Sequence, residues 1–444
     1  MGSIPAAAHR ASRSKQPAPA RRCARLLVLG LVVVAGCSRQ PSADRPPSHA
    51  QPAAKQPTAH PPAPPAPTEK AAEAAPAENA PEAAPAHPSA EPAPAAAPLY
   101  SAHRDMMGTV FVISTVAPEA SAAPAIEAAF DEIARLEDVL SEWIPTSEIS
   151  RINQAAGKAP VHVSADTLAV VKAGLDVSRW SHGAFDLSWA VLRKVYDFRP
   201  GHYRVPRDGE LKPLLPLIDY HAVRVDGAAQ TVELMKRGMA IGTGGIGKGY
   251  ALDRAGDVLR AHGIDDYMIF GGGQVQVHGT RGGRPWRVGI QHPRRNDYFA
   301  AIEASDVSIS TSGDYEHVYV DPSGRRWHHI VDPKTGLPVE GTMSVTLIAP
   351  SGLYADALST AVFVLGPKKG LAMLAGLPFE AEAVIVDSSC RVITTPGTEQ
   401  KLHFHIALDD GKLAGCDAGA DWLHRRALSP AKAPPAPEGT AGGG

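Results

Sequence analysis

Gly242, Gly244, Gly245, Gly247 and Gly249 crowd the stretch 242–249, and Lys248 stands between the last two. Glycines let main-chain N–H groups come close to an anion, a helix N-terminus adds a partial positive charge, and Lys248 adds a whole one. The apolar residues Leu252, Ala255, Val258 and Leu259 then recur at helical spacing up to His262-Gly263, a stop signal. The segment therefore reads as a loop feeding a helix, a phosphate cradle in chemical outline. Two familiar patterns fit it on paper and fail in detail. A dinucleotide GxGxxG needs an acidic residue closing the next strand, yet the run Tyr267 to Phe270 closes on Gly271-Gly272-Gly273. A P-loop needs a magnesium-binding hydroxyl where Gly249 stands. A ligand-free glycine turn is the plain alternative, and Lys248 weakens it.

Three other clusters carry chemical residue types. Asp356 and Thr360 are one helical turn apart, so on a helix a carboxylate and a hydroxyl share a face and could offer oxygens to Mg²⁺. On spacing alone the plainer reading is preferred, a helix-terminus charge and a small core residue. Arg326 to Pro338 carries His328, His329 and Asp332, with Asp332-Pro333 and Thr335-Gly336 marking a turn after a strand. Paired histidines beside an Asp could transfer a proton or hold a ligand. Adjacent histidines on a strand face opposite ways, which argues against one shared zinc. Upstream, Ser310-Thr311-Ser312-Gly313-Asp314-Tyr315 is rich in hydroxyls and reads by itself as a polar turn. In Gly183-Ala184-Phe185-Asp186-Leu187-Ser188, an aromatic beside a carboxylate could pack on and hydrogen-bond a planar heterocycle; a core-filling Phe is the commoner use.

The elements that must position these clusters begin near Leu99. Residues 107–113 read as a strand and 123–140 as a helix with Ile126, Phe130, Ile133, Glu137 and Leu140 along one side, Glu137 at its edge. Ser164 is a candidate cap for a helix running from Thr167 towards His182-Gly183. Strand-like runs follow at 287–290, 307–310, 317–320, 344–349 and 383–386. Strands joined by short turns with helices between groups indicate an α+β fold rather than a doubly wound parallel sheet.

The 444 residues are uneven in composition. Arg21, Arg22 and Arg25 precede the apolar run Leu26 to Ala35, followed by Val34-Ala35-Gly36-Cys37, which looks like a bacterial lipoprotein signal over 1–36 with Cys37 as the acylated first mature residue. Lipid chains bury about 0.8 kcal/mol per CH₂, enough for stable anchoring when several are attached. Residues 38–98 are mostly Pro and Ala and cannot bury a core, so 37–98 is expected to be a lipidated, disordered tether. The protein is thus expected in the bacterial cell envelope, facing the periplasm. Cys390 and Cys416 remain in the mature body, and in an exported chain the two could pair as a disulfide, which the sequence leaves open. A net charge of -2 without a basic block gives no nucleic-acid footprint.

Taken together and in order, these clusters resemble the ApbE family of FAD:protein FMN transferases over 99–397. Met107-Gly108-Thr109, Leu140-Ser141-Glu142-Trp143 with Pro145, Ser147 and Asn153, and Gly244-Gly245-Ile246 with Lys248-Gly249-Tyr250 carry the resemblance. So do Ser312-Gly313-Asp314-Tyr315, His329-Ile330 with Asp332-Pro333, and Ala355-Asp356-Ala357 with Thr360. The resemblance implies mixed sheets and helices related to the T-fold, FAD as donor substrate and Mg²⁺ as the required ion. Such enzymes split the FAD pyrophosphate, release AMP and leave FMN on a Thr or Ser hydroxyl of a partner redox protein. Carried over, Asp356, Thr360 and the carbonyl of Gly245 would hold magnesium. Met107, Trp143, Ala184, Phe185, Asp186 and Lys248 would line the FAD site, with His329 close to flavin and phosphates. His329, Lys248 and Asp356 would be the catalytic groups.

The sequence also departs from that pattern. Gly242 stands where an Asp is usual, Gly247 replaces Ala, Gln274 follows the glycine triplet where Asp or Asn is usual, and Trp189-Ala190 breaks the residues after Phe185-Asp186. Residues 398–444 have no counterpart and read as a partly disordered extension. An FAD pyrophosphatase, with water replacing the acceptor hydroxyl, and a non-catalytic flavin-holding lipoprotein are the rival functions. The magnesium residues Asp356 and Thr360 argue against the latter.

Overall fold

Residues 100–115 alternate in burial along two strands, β1 (Tyr100–Met106) and β2 (Thr109–Thr115), which pair antiparallel in a hairpin. Both turn residues have positive φ, Met107 at 49° and Gly108 at 74°, as a two-residue mirror-image turn requires. The computed structural model, which describes residues 99–199, 202–400, 402–404 and 408–416, thus takes Met107 and Gly108 out of the strand expected over 107–113. Met is a poor signal for such a turn because its side chain disfavours positive φ. Here the next helix holds it, since Met107 N–H donates to Glu137 Oε2 at 2.9 Å.

That helix, α1 (Glu119–Leu140), starts earlier than position 123 and runs through Pro124, with Ile126, Phe130, Ile133 and Leu140 buried as expected. After α2 (Glu148–Gln154) and β3 (Val161–His162) comes α3 (Ala165–Trp180), capped by Ser164, whose hydroxyl accepts Thr167 N–H at 3.4 Å. β4 (Val223–Asp226) and β5 (Thr231–Leu234) join β3 in a small sheet of order β3-β5-β4. The glycine run then opens α4 (Gly247–Ala261), which ends at His262.

Eight strands follow before the last long helix, seven of them ahead of residue 340. Those seven are β6 (Tyr267–Gly271), β7 (Gln274–His278), β8 (Trp286–Gln291), β9 (Tyr298–Ala304), β10 (Val307–Gly313), β11 (Val318–Val320) and β12 (Arg326–His328). Next are β13 (Thr342–Ala349), α5 (Gly352–Leu374), β14 (Glu382–Asp387) and β15 (Val392–Thr394). The chain closes with α6 (Pro396–Glu399), β16 (Leu402–Phe404), β17 (Leu408–Asp409) and β18 (Lys412–Leu413). The hydroxyl-rich run 310–315 is therefore mostly strand, not turn, because its hydroxyls bond across to α5 and β13 instead of to solvent.

The central sheet has the order β1-β2-β6-β7-β10-β13-β14-β15, with every neighbouring pair antiparallel. This is the α+β arrangement read from the sequence, and it excludes a doubly wound parallel sheet. Period-2 alternation sends Ala383 and Ile385 to the helix side with Phe130, Leu252 and Phe363, and Val384 and Val386 to the opposite side. There they pack against Trp286, Val288 and Phe299 from a second sheet of order β16-β9-β8. α5 is apolar almost all round because it is enclosed, packing on β10, β13 and α4. Its backbone breaks at Gly366, φ 71°, just before Pro367.

No disulfide joins Cys390 and Cys416, which are both buried in the cluster between the two sheets. They pack there as small apolar groups, and Cys416 Sγ lies 3.3 Å from Met343 Sδ. Leu413 and Cys416 are core residues, and β16 pairs with β9, so the extension from 398 is built into the body as far as 416. The signal over 1–36, Cys37, the tether to 98 and the tail beyond 416 lie outside the described residues.

Candidate active site at the crossing of two helices

An α-helix leaves its first N–H groups without partners, and α4 starts at Ile246 with no side-chain cap of its own. The partner comes from α5. Asp356 reaches across so that its Oδ2 accepts Gly249 N–H at 3.0 Å, with the Lys248 amide also donating to the carboxylate. Its Oδ1 accepts Gln274 Nε2 at 3.1 Å. The helices can approach this closely only because both are bare at the crossing. A Cβ on Gly249 would lie 1.9 Å from the Gly352 carbonyl oxygen. Burial raises the pKa of Asp356, with Lys248 and the two amides opposing it.

One turn along α5, Thr360 Oγ1 lies 3.3 Å from Ser312 Oγ on β10. Ser359 ties the same strand down, 2.9 Å from Ser312 Oγ and 3.0 Å from Ser310 Oγ. The glycine loop closes the third side. A Cβ on Gly245 would stand 3.6 Å from Thr360 Oγ1 and 3.3 Å from the Phe185 ring, so the Gly245 main chain lies beside Thr360. A buried carboxylate, hydroxyls and a neighbouring main chain form a hard oxygen donor set, which suits Mg²⁺ and not zinc. Among the described residues, no group of three His, Cys, Asp or Glu side chains is placed to hold a metal.

Lys248 lies in the first turn of α4, and its Nζ donates to the Gly244 carbonyl at 3.1 Å. His329 follows β12, with its ring centroid 5.1 Å from that of His317 at 88°. Its Nδ1 is buried without a hydrogen-bond partner among the described residues. Burial drives the His329 pKa well down, and His317, His328 and Lys248 push it the same way, so the imidazole is neutral. His328 turns the other way, as alternation on a strand requires. Its Nε2 is 2.9 Å from the Val339 carbonyl and its ring packs edge-on to Phe363, which makes it a core anchor.

The structure thus brings Gly245, Lys248, Asp356, Thr360, Phe185 and His329 around the start of α4. Ala184 and Phe185 are buried, Met107 stands in the β1–β2 turn, and Trp143 is on the surface under the Arg193 guanidinium. Asp186 behaves differently from a ligand-facing carboxylate. Its Oδ1 accepts Ser188 N–H at 2.8 Å and Ser188 O–H at 2.7 Å, and its Oδ2 accepts Tyr220 N–H at 3.0 Å. It therefore fixes the loop that carries Phe185. Burial raises its pKa against those bonds. Sequence reasoning gave no site role to Ser312, Gln274 or Asp253. Ser312 lay in a quoted motif, Gln274 was noted only as a departure and Asp253 went unremarked; the signal that singles each out is a contact across strands or helices.

A family model described as the ApbE family matches residues 107–385. The FAD:protein FMN transferase of Treponema pallidum is 32% identical over 317 residues, 67% of this chain and 87% of the relative. That of Vibrio cholerae is 31% identical over 275 residues, 60% of this chain and 81% of the relative. Among solved structures, the ApbE protein of Thermotoga maritima superposes with a TM-score of 0.64 at 30% identity, covering 68% of this chain and 99% of that one. The flavin transferase ApbE of Vibrio cholerae gives 0.61 at 28% identity, covering 68% and 100%.

Proposed function

The chain belongs to the ApbE family, and from that membership and the oxygen-lined crossing of α4 and α5 we propose that it transfers FMN from FAD to a Thr or Ser hydroxyl of an acceptor protein, with release of AMP. The observation that carries this reading is the buried carboxylate of Asp356 at the N-terminus of α4, with Lys248, Thr360 and Ser312 beside it. Phosphoryl transfer depends on neutralised oxygens and in-line placement more than on covalent help.

Asp356, Thr360 and the Gly245 main chain would hold Mg²⁺, which when bound supplies charge neutralisation to a pyrophosphate. The first turn of α4 and Lys248 bind the same anionic oxygens. Phe185, pinned by Asp186 and Ser188, offers an apolar wall, and Met107 and Trp143 belong to the proposed flavin-dinucleotide site. In the reaction the acceptor oxygen bonds to the FMN-side phosphorus, the bridging P–O bond breaks and AMP leaves. The neutral imidazole of His329 is the base this arrangement offers for the hydroxyl proton. The acceptor is an exported or membrane-associated redox protein, and a lipid on Cys37 holds the enzyme at the membrane, facing the periplasm.

The test is incubation of the protein with FAD, Mg²⁺ and a hydroxyl-bearing acceptor, followed by a denaturing gel viewed for flavin fluorescence. A fluorescent acceptor band supports transfer. Free FMN and AMP with no labelled protein would make the chain a pyrophosphatase.

A further inference from the structure

Glu142 lies just beyond the end of α1, and its side chain reaches the other end of the glycine loop. Its Oε2 accepts Thr243 N–H at 2.7 Å and lies 3.2 Å from Thr243 Oγ1. Its Oε1 takes no hydrogen bond among the described residues. That oxygen would be 3.1 Å from a Cβ on Gly242 and 3.7 Å from one on Gly244, so glycine at these positions keeps space open around it. The next residue, Trp143, is 66% exposed, the largest exposure among the exposed large apolar side chains described. One face of its indole is covered by Arg193, whose guanidinium carbon lies 3.6 Å from the ring centroid. Arg193 also donates to the Glu142 carbonyl at 3.2 Å, while its Nε is buried with no partner among the described residues.

A carboxylate repels phosphate, so this end of the loop does not suit the anionic part of a dinucleotide. Lys248 and the start of α4 attract that part at the other end. From Gly242 to Gly245 the main chain spans at most about 10 Å, which is the scale that separates a pyrophosphate from the sugar or base of the same nucleotide. Resting on the flavin-transfer reading, we propose that Glu142, with Trp143 backed by Arg193, recognises a neutral, donor-bearing end of FAD. Oε1 accepts an N–H or O–H from sugar or base, and the ring stacks on the free face of Trp143. Adenosine and the flavin both offer such donors, and the experiment separates them.

Binding of FAD, ADP, FMN and inorganic pyrophosphate is measured by calorimetry with the full chain in Mg²⁺, for wild type, Glu142→Ala and Glu142→Gln. The Gln variant keeps an acceptor for Thr243 N–H and guards against simple collapse of the loop. Glu142→Ala is expected to weaken FAD about tenfold, Glu142→Gln to weaken it less, and pyrophosphate to bind unchanged. Loss shared with ADP assigns the contact to the adenosine end, and loss shared with FMN assigns it to the flavin end. Unchanged FAD binding in both variants, or an equal loss for pyrophosphate, overturns the assignment of Glu142 alone. A wild-type chain that binds none of the nucleotides removes the transferase reading, and this one with it.

Discussion

Asp253 and Asp356 cap each other's helices. Asp253, on α4, accepts the Gly352 and Leu353 N–H groups that open α5, at 2.7 and 2.9 Å, and Ser351 Oγ at 2.8 Å. Asp356, on α5, accepts the amides that open α4. Each carboxylate meets the positive end of the other helix dipole, so the glycine turn and the Asp356–Thr360 face of α5 are fixed as one unit.

Replacing Asp253 by Ala strands the first amides of α5 one turn before Asp356. The expected cost is about 2 kcal/mol in urea denaturation, with a higher Mg²⁺ concentration needed for half-maximal activity. Asp253→Asn, which retains an acceptor, recovers most of the stability. A Mg²⁺ requirement that stays at the wild-type level in Asp253→Ala would separate the two ends of the crossing.

Gly249→Ala places a methyl group 1.9 Å from the Gly352 carbonyl oxygen, backbone that cannot give way cheaply. The variant should melt well below wild type and lose flavin transfer together with its helix crossing. Thermal melting followed by circular dichroism checks this, and a wild-type melting temperature would show that the helices part without cost.

His329 gives a pH prediction. An unfolded imidazole titrates near 6.5, whereas burial holds His329 well below that. Below pH 6.5 the unfolded chain takes up the extra proton, so stability is present above that pH and is lost as pH falls. The loss is at most about 1.4 kcal/mol per pH unit. Denaturation at pH 7.5 and 5.5 should show a larger fall for wild type than for His329→Gln. Equal falls would mean that His329 is not held neutral by the fold.

Much of this was readable in the sequence because it is local. The cap at Ser164, the stop at His262-Gly263 and the helical spacing of Asp356 and Thr360 follow from neighbours along the chain. The Met107-Gly108 turn was missed because a helix residue, Glu137, supplies its anchor from far away in the chain. The bond from Tyr220 N–H that ties down Asp186 was not legible for the same reason, since Tyr220 is also distant in the chain. Cys390 and Cys416 are an even pair by count, yet they pack as apolar groups between two sheets. The spacing of Asp356 and Thr360 put a carboxylate and a hydroxyl on one helix face, but their position beside the glycine loop comes from the crossing of α4 and α5, which local spacing does not contain.

Thr360→Val keeps the volume of the side chain and removes the hydroxyl 3.3 Å from Ser312 Oγ. The fold should persist while flavin transfer falls at least tenfold and shifts to higher Mg²⁺, as steady-state rates across a Mg²⁺ series would show. Wild-type rates at low Mg²⁺ would take Thr360 out of the ion's surroundings.

The most direct measurement counts both products of one reaction. With FAD, Mg²⁺ and a hydroxyl-bearing acceptor, AMP is quantified by chromatography and acceptor-bound FMN by mass spectrometry, for wild type and Asp356→Asn. Equal amounts of the two from wild type, and neither from the variant, are the predicted result. AMP without modified acceptor, or an Asp356→Asn chain that transfers flavin at the wild-type rate, would contradict it.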